Sequence, residues 1–354
     1  DFNFDAGFGG PVTFLSSKLG DLRFFFSTRK ETDMYLYEVS RPEIYQNSYL
    51  LKLTSDLNKN SKLVYTFYGG VMEGTTQSRG GGTSIMNDSW DLASQVNSAG
   101  FTMPWRLFTN EYWSPTTVKN QTHGIKYTSF INADSYFDLS LKVDSKSYVT
   151  GHGPRRDTTN IYTIFGSGDE SWLADEAPIG FMGQPLFSIE GRLAFGGAIS
   201  TSRDSSRVKT LTAKGNYTKQ ISNNQQIKFG GEFVSSSLDL KFGSQNEFLP
   251  AGNYWSTMDV NPYRLSFYLQ DKLEYKGFVA IAGLNLDILN PNVSWYEVND
   301  YDDNFYSSNY SSDLESSIEK NKLNIRNKFS PRLAISHPIT ENSKLYFNYG
   351  HYQQ

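Results

Sequence analysis

The chain carries four histidines and no cysteine, which narrows its chemistry at once. Cysteine nucleophiles, thiolate metal sites and disulfides are excluded. His123, His152, His337 and His351 are scattered, and no His-Glu-x-x-His sets two ring nitrogens on one helical face. Asp169-Glu170 and Asp175-Glu176 are carboxylate pairs of the type used in acid–base work, but nothing fixes their geometry. Gly166-Ser167-Gly168-Asp169 is not the Gly-x-Ser-x-Gly turn that exposes a nucleophilic serine. Gly69 to Gly74 mimics the glycine spacing of a phosphate loop, yet Thr75 stands where the phosphate-binding lysine must be. No catalytic residue, metal site or cofactor follows, and the chain does not read as an enzyme.

Rings and charges remain as binding candidates. Trp90, Trp105 and Trp113 fall in one long irregular stretch, Trp172 in the next, and Trp255 and Trp295 in later ones. Aromatic faces there can capture a ligand by stacking on sugars, chelate rings or peptides. They can equally form the interfacial girdle that Trp and Tyr favour, or pack within folded loops. Tyr254-Trp255 is the best pair, read as a short loop near the mouth of a strand. Arg79, and Arg155-Arg156 beside His152, could meet an anionic ligand or simply be solvated. Asp300, Asp302 and Asp303 offer oxygen ligands to calcium, but without the EF-hand's later glycine and glutamate they read as a solvated acidic loop.

The elements that would hold these residues follow from composition and pattern. The 354 residues have a net charge of −4, and the pI is near 5.7, so there is no footprint for nucleic acid. Mean hydropathy is −0.50, and no run of about eighteen apolar residues offers a transmembrane helix. Aromatic residues make up 15%, with 23 Tyr, 25 Phe and 29 Gly, against only 38% hydrophobic residues. Rings in place of aliphatic side chains suit strands and turns.

Period-two alternation then appears along the whole chain. In Tyr263–Leu273, Tyr263, Leu265, Phe267, Leu269 and Leu273 share one face, and Arg264, Ser266, Tyr268, Gln270 and Lys272 the other. Phe278, Ala280, Ala282, Leu284 and Leu286 repeat the pattern in the next strand. So do Phe137–Val143, Leu345–Tyr349, Ile227–Phe233, Leu63–Phe67 and Phe2–Phe8. About twelve strands in six hairpins are predicted. Short turns are expected near Gly9–Gly20, Asp56–Ser61, Asn132–Ser135, Ser222–Asn224, Tyr275–Gly277 and Thr340–Ser343. Long connections are expected near Arg29–Ile44, Glu73–Asn120, Thr150–Ser206, Lys241–Asn261 and Asn290–Lys328, alternating with the turns in unbroken phase.

Alternating strands can hide one face in a soluble core, or turn it to lipid around a wet lumen. A strand of about 10 residues rises ~34 Å and at ~45° spans ~24 Å, the apolar height of an outer-membrane barrel. Soluble strands average about 5–6 residues. Short turns on one side and long loops on the other are also a barrel's habit. The fold class is therefore all-β, an antiparallel transmembrane β-barrel with short periplasmic turns and long extracellular loops. With short turns in the periplasm, both ends of residues 1–354 fall outside, so a closed twelve-strand barrel is not expected. The chain reads as an interior piece of a longer wall, because open sheet edges are not tolerated in lipid.

Two segments carry a resemblance. Phe2-Asn3-Phe4-Asp5-Ala6-Gly7-Phe8-Gly9-Gly10-Pro11-Val12, with Leu22-Arg23-Phe24-Phe25-Phe26, resembles the first periplasmic hairpin of TonB-dependent outer-membrane receptors. It is most similar to the branch with a carboxypeptidase-regulatory-like N-terminal domain. Phe329-Ser330-Pro331-Arg332-Leu333-Ala334-Ile335-Ser336, followed by Leu345-Tyr346-Phe347-Asn348-Tyr349-Gly350, resembles that family's mid-barrel hairpin. The resemblance implies a 22-stranded bacterial outer-membrane barrel, of which residues 1–354 form roughly the second to thirteenth strands. The plug, its TonB box and the C-terminal strands lie outside this sequence. Implied partners are the TonB-ExbB-ExbD complex acting through the plug, outer-membrane lipid and lipopolysaccharide, and a surface lipoprotein.

The implied function is active import of a scarce, bulky ligand such as a siderophore, glycan, peptide or cobalamin. Lys228, Glu232, Arg264, Tyr268, Gln270 and Lys272 would line the lumen against the plug. Two other readings stay open: a passive outer-membrane channel or translocation pore, and a secreted glycan-binding or adhesion sheet.

Overall fold

The computed structural model describes residues 1–15, 19–36, 39–76, 89–90, 113–153, 188–189, 193–194, 200–245, 252–299, 301, 316, 318–340 and 343–351. Twelve strands form a single antiparallel meander, each paired with its sequence neighbours. They are β1 (Phe2–Pro11), β2 (Arg23–Met34), β3 (Glu43–Asn58), β4 (Ser61–Thr76), β5 (Ser114–Asn132) and β6 (Ser135–Thr150). There follow β7 (Arg207–Ser222), β8 (Gln225–Ser244), β9 (Tyr263–Tyr275), β10 (Phe278–Asn290), β11 (Arg326–Thr340) and β12 (Ser343–Gly350). Two shorter strands prolong the ladder at the long-loop end: Ser202–Asp204 leads into β7, Tyr254–Val260 into β9, and both pair with β8.

The hairpin count and the turn positions follow the alternation pattern, but the strands run further than it does. β8 extends for 20 residues, so the wall rises well past its apolar zone and the connections shrink accordingly. Lys276 (φ 47°) and Gly277 (φ 83°) form a two-residue turn with both φ positive, the twist that matches a hairpin. The expected short–long phase fails once. Residues 12–22, on the short-turn side, are longer than residues 35–42 on the other. The reason is docking: Asp56 N donates to the Gly20 carbonyl at 2.6 Å and the Ser55 hydroxyl to the Leu19 carbonyl, which ties the segment to the end of β3. Gly20 (φ 64°) is needed there, because a Cβ would lie 2.2 Å from the Asp56 carbonyl oxygen.

The sheet has no ordinary core. Among the described residues the buried apolar side chains are Tyr35, Val39, Ile44 and Trp113. The apolar faces of the strands instead stand open: Phe267 is 50% exposed, Leu269 49%, Leu284 45% and Phe329 59%. They join across strands into a belt. One row of partners runs Leu139–Gly215–Gly231–Phe267–Leu286–Phe329. Another runs Phe8–Phe26–Leu51–Phe67–His123–Val143–Leu211. Even His123 is folded into the ring surface, its Nδ1 2.9 Å from the Tyr65 hydroxyl and its ring 4.8 Å from that of Phe67.

The belt runs obliquely to the ladder. The row that leaves β1 at Phe8 meets β9 at Tyr263 and β10 at Asn290, the long-loop end of strands whose apolar side chains lie below it. Strand tilt with a staggered register is what closing a sheet into a barrel requires. The fold is an antiparallel transmembrane β-barrel wall.

Candidate functional site

The polar face of this wall is where side chains interact specifically. Period two puts even-numbered residues of β6 to β9 and odd-numbered residues of β10 on it, opposite the belt. β8 and β9 bring together the six lumen candidates. Lys228 is opposite Gln270, Gln226 opposite Lys272, Glu232 opposite Ser266, and Arg264 opposite Val234. Glu232 sits between two cations, with Arg264 Nη2 at 2.6 Å and Lys214 Nζ at 3.7 Å. Next to this, the Tyr268 hydroxyl donates to Asn216 Oδ1 at 2.6 Å, and Asn216 Nδ2 donates to Asp138 Oδ2 at 2.7 Å. Lys228 Nζ lies 5.9 Å from the Tyr268 ring. Gly230 makes room for this chain, because a Cβ there would be 2.7 Å from Asn216 Oδ1.

A second polar cluster lies higher on the same face, where β2 to β6 curve round a concavity of 530 Å³. Arg29, Glu31, Lys146, Tyr68 and Tyr148 provide its charged and aromatic groups, and Gln46 a neutral amide. Arg29 and Glu31 pair at 3.0 Å across one repeat of the strand. The floor is Gly70, where a Cβ would meet Asn120 Oδ1 at 2.7 Å. This concavity can hold a polar ligand or a polar protein surface, with two tyrosine hydroxyls and both signs of charge available. Sequence reading missed it, although Arg29, Lys146 and Tyr148 all occupy polar-face positions.

Among the described residues the ring candidates are not gathered into one platform. Tyr254 and Trp255 lie in a strand, not in a loop, paired with Ser244 and Gly243. Successive strand residues point to opposite faces, so the two rings cannot stack on one ligand together. Trp255 lies instead under Lys241 Nζ at 5.0 Å. Trp113 is 3% exposed and its ring is closed to solvent, whereas Trp90 is 82% exposed. Trp105, Arg155, Arg156 and Trp172 lie outside the described residues, as do Arg79, Asp169, Glu170, Asp175, Glu176, Asp300, Asp302 and Asp303. At the long-loop end, Arg203 is 7% exposed and approaches His152 Nδ1 at 2.6 Å, pinning the two roots of the stretch between β6 and β7.

No family model matches the chain, and none of the curated proteins does. Solved structures do match. The alcaligin outer-membrane receptor FauA of Bordetella pertussis aligns over 98% of this chain and 40% of its own, at 9% identity and a TM-score of 0.54. FpvA of P. aeruginosa, bound to pyoverdines, aligns over 98% and 40%, at 10% identity and a TM-score of 0.54. The FrpB iron transporter of Neisseria meningitidis aligns over 97% and 44%, at 10% identity and a TM-score of 0.52. The likeness is one of fold. These neighbours are bacterial outer-membrane receptors of the TonB-dependent type, and the chain spans about two fifths of the length of the first of them.

Proposed function

We propose that the chain is part of the barrel of a TonB-dependent outer-membrane receptor that imports a scarce, bulky ligand of the siderophore, glycan, peptide or cobalamin class. The observation that carries this reading is the two-faced wall. A belt of exposed rings and aliphatic side chains covers one side of all twelve strands, and an ion-paired, hydrogen-bonded surface covers the other. Water does not favour so much open apolar surface. Hydrocarbon does, with a polar lumen behind it.

The wall is incomplete as a cylinder. Among the described residues β1 pairs only with β2, and β12 only with β11. Two rows of unpaired backbone groups in lipid would each cost several kcal/mol per group, so further strands close the barrel. The neighbours are more than twice as long as the chain, which leaves room for those strands and for a plug. Within such a barrel Lys228, Glu232, Arg264, Tyr268, Gln270 and Lys272 face the plug. The concavity of β2 to β6 lies nearer the long loops, on the path of an incoming ligand. TonB-ExbB-ExbD would supply the energy through the plug, making the protein a transporter and not an enzyme.

The test uses the full-length protein in its own cell. It should fractionate with outer membranes and run faster on gels unless boiled. Ligand uptake should stop when the proton-motive force is collapsed or TonB is deleted. Uptake that survives both treatments makes it a passive channel. Recovery only from the periplasm or the medium ends the membrane reading altogether.

A further inference from the structure

The belt contains two features that a plain lipid-facing surface does not need. The first is a shallow groove of 460 Å³ on the outer face of β5 to β9. Gly215 and Gly231, direct cross-strand partners, form its floor. Leu139, Leu141, Leu265 and Phe267 wall it. The glycines let Leu139 and Phe267 lie close over the backbone: a Cβ on either would meet those side chains at 3.1 Å.

The second feature is a carboxylate among the apolar residues. Asp271 shares the outward parity of Leu269 and Leu273, between Ile227 on one side and Ala282 on the other. Its Oδ2 accepts from Gln225 Nε2 at 2.9 Å, while its Oδ1 is buried without a hydrogen-bond partner. An ionisable group on the membrane face is costly and invites a partner. Along the same row, beyond Ile227, stands the exposed Lys219. The α-carbons of Lys219 and Asp271 are therefore two strand spacings apart, about 10 Å, which the lysine side chain shortens. Both residues lie towards the short-turn end, two rows below the groove, about 13 Å along the strands.

We propose that this part of the outer wall is a binding site for one zwitterionic, ammonium-bearing phospholipid of the periplasmic leaflet. The phosphate meets Lys219, the ammonium meets Asp271, and an acyl chain passes over Tyr217 and Leu269 into the groove floored by Gly215 and Gly231. The two charges are complementary to the phosphate and the ammonium of such a headgroup. Turning the carboxylate about its broad terminal torsion presents Oδ1 without a backbone change, in exchange for the bond from Gln225 Nε2. The site rests on the outer-membrane reading above, since only a bilayer supplies this ligand.

Native mass spectrometry of the full-length receptor, released from detergent and titrated with phosphatidylethanolamine or phosphatidylglycerol, tests the site. The wild type should keep one phosphatidylethanolamine with about tenfold preference, the size of one charge-assisted hydrogen bond. Asp271→Asn should bring that ratio close to one, Lys219→Gln should weaken both lipids, and Ala213→Leu, which narrows the groove, should do the same. Equal retention of both lipids by the wild type, or an unchanged preference in Asp271→Asn, overturns the site. If the protein is heat-modifiable and membrane-bound but shows no preference, the site fails and the barrel stands. A protein that never reaches the membrane sinks both.

Discussion

Leu269 is the position where the membrane reading can be tested in energy. It is the midpoint of β9, six residues from Tyr263 and six from Tyr275. At about 3.4 Å per residue and ~45° tilt, it lies ~14 Å from either end along the membrane normal, at the centre of a ~25 Å apolar belt. Its side chain is 49% exposed, and its cross-strand partners are Phe229 and Leu284. If lipid covers it, Leu269→Arg should destabilise the protein by about 2–4 kcal/mol. If water covers it, an arginine at a half-exposed position should change stability by only about 0.5 kcal/mol. Two controls sharpen the difference. Gln270→Arg, one residue on and facing the polar side, should cost no more than about 0.5 kcal/mol. Tyr275→Arg, at the strand end, should cost about 0–1 kcal/mol, because the penalty fades towards the interface. The measurement is reversible urea unfolding of the full-length protein from short-chain phosphatidylcholine vesicles, followed by the gel shift of unboiled samples. Equal midpoints for Leu269→Arg and Gln270→Arg would refute the assignment of inside and outside.

Three more substitutions probe the wall. Glu232→Gln leaves Lys214 and Arg264 without their shared anion, but their side chains are 44% and 49% exposed, so a loss of less than about 1 kcal/mol is expected in the same unfolding assay. Gly243→Ala places a Cβ 2.0 Å from the Tyr254 carbonyl oxygen. Amide exchange should then quicken across residues 254–260 while β9 below stays protected. Tyr68→Ala opens the concavity of β2 to β6, and should reduce ligand uptake with no change in the amount of protein in the outer membrane.

Local pattern made most of the wall legible. Leu265, Phe267 and Leu269 against Arg264, Ser266 and Tyr268 fix the two faces of β9 without any coordinates, and the six lumen candidates follow from the same parity. Features that depend on distant partners were not legible. Residues 12–22 looked like an ordinary turn, because nothing local shows that Gly20 rests against the end of β3. Tyr254-Trp255 read as a short loop near the mouth of a strand. They continue the sheet because β8 extends far enough to pair with them. The upper concavity draws on Arg29 and Tyr148 from its opposite sides, and only the strand order from β2 to β6 puts both in its lining.

Tilt and polarity of the wall are two aspects of one constraint. A belt of fixed height can stay level around a tilted cylinder only if each strand shifts its apolar stretch relative to the ladder. That is why Phe8, inside the belt at β1, lies on the same row as Asn290 at β10. The same shift moves the polar face. Charged groups at the long-loop end of β2 and β6, such as Arg29 and Lys146, end up above the level of the Glu232 and Asp138 networks lower in the lumen. The inner wall thus has two tiers. The lower is already interlocked by Tyr268, Asn216 and Asp138 and suits a standing partner such as a plug. The upper keeps an open concavity and suits a ligand that comes and goes. If the proposed function holds, a ligand bound above and a plug anchored below would share one sheet, through which the arrival of the first would reach the second.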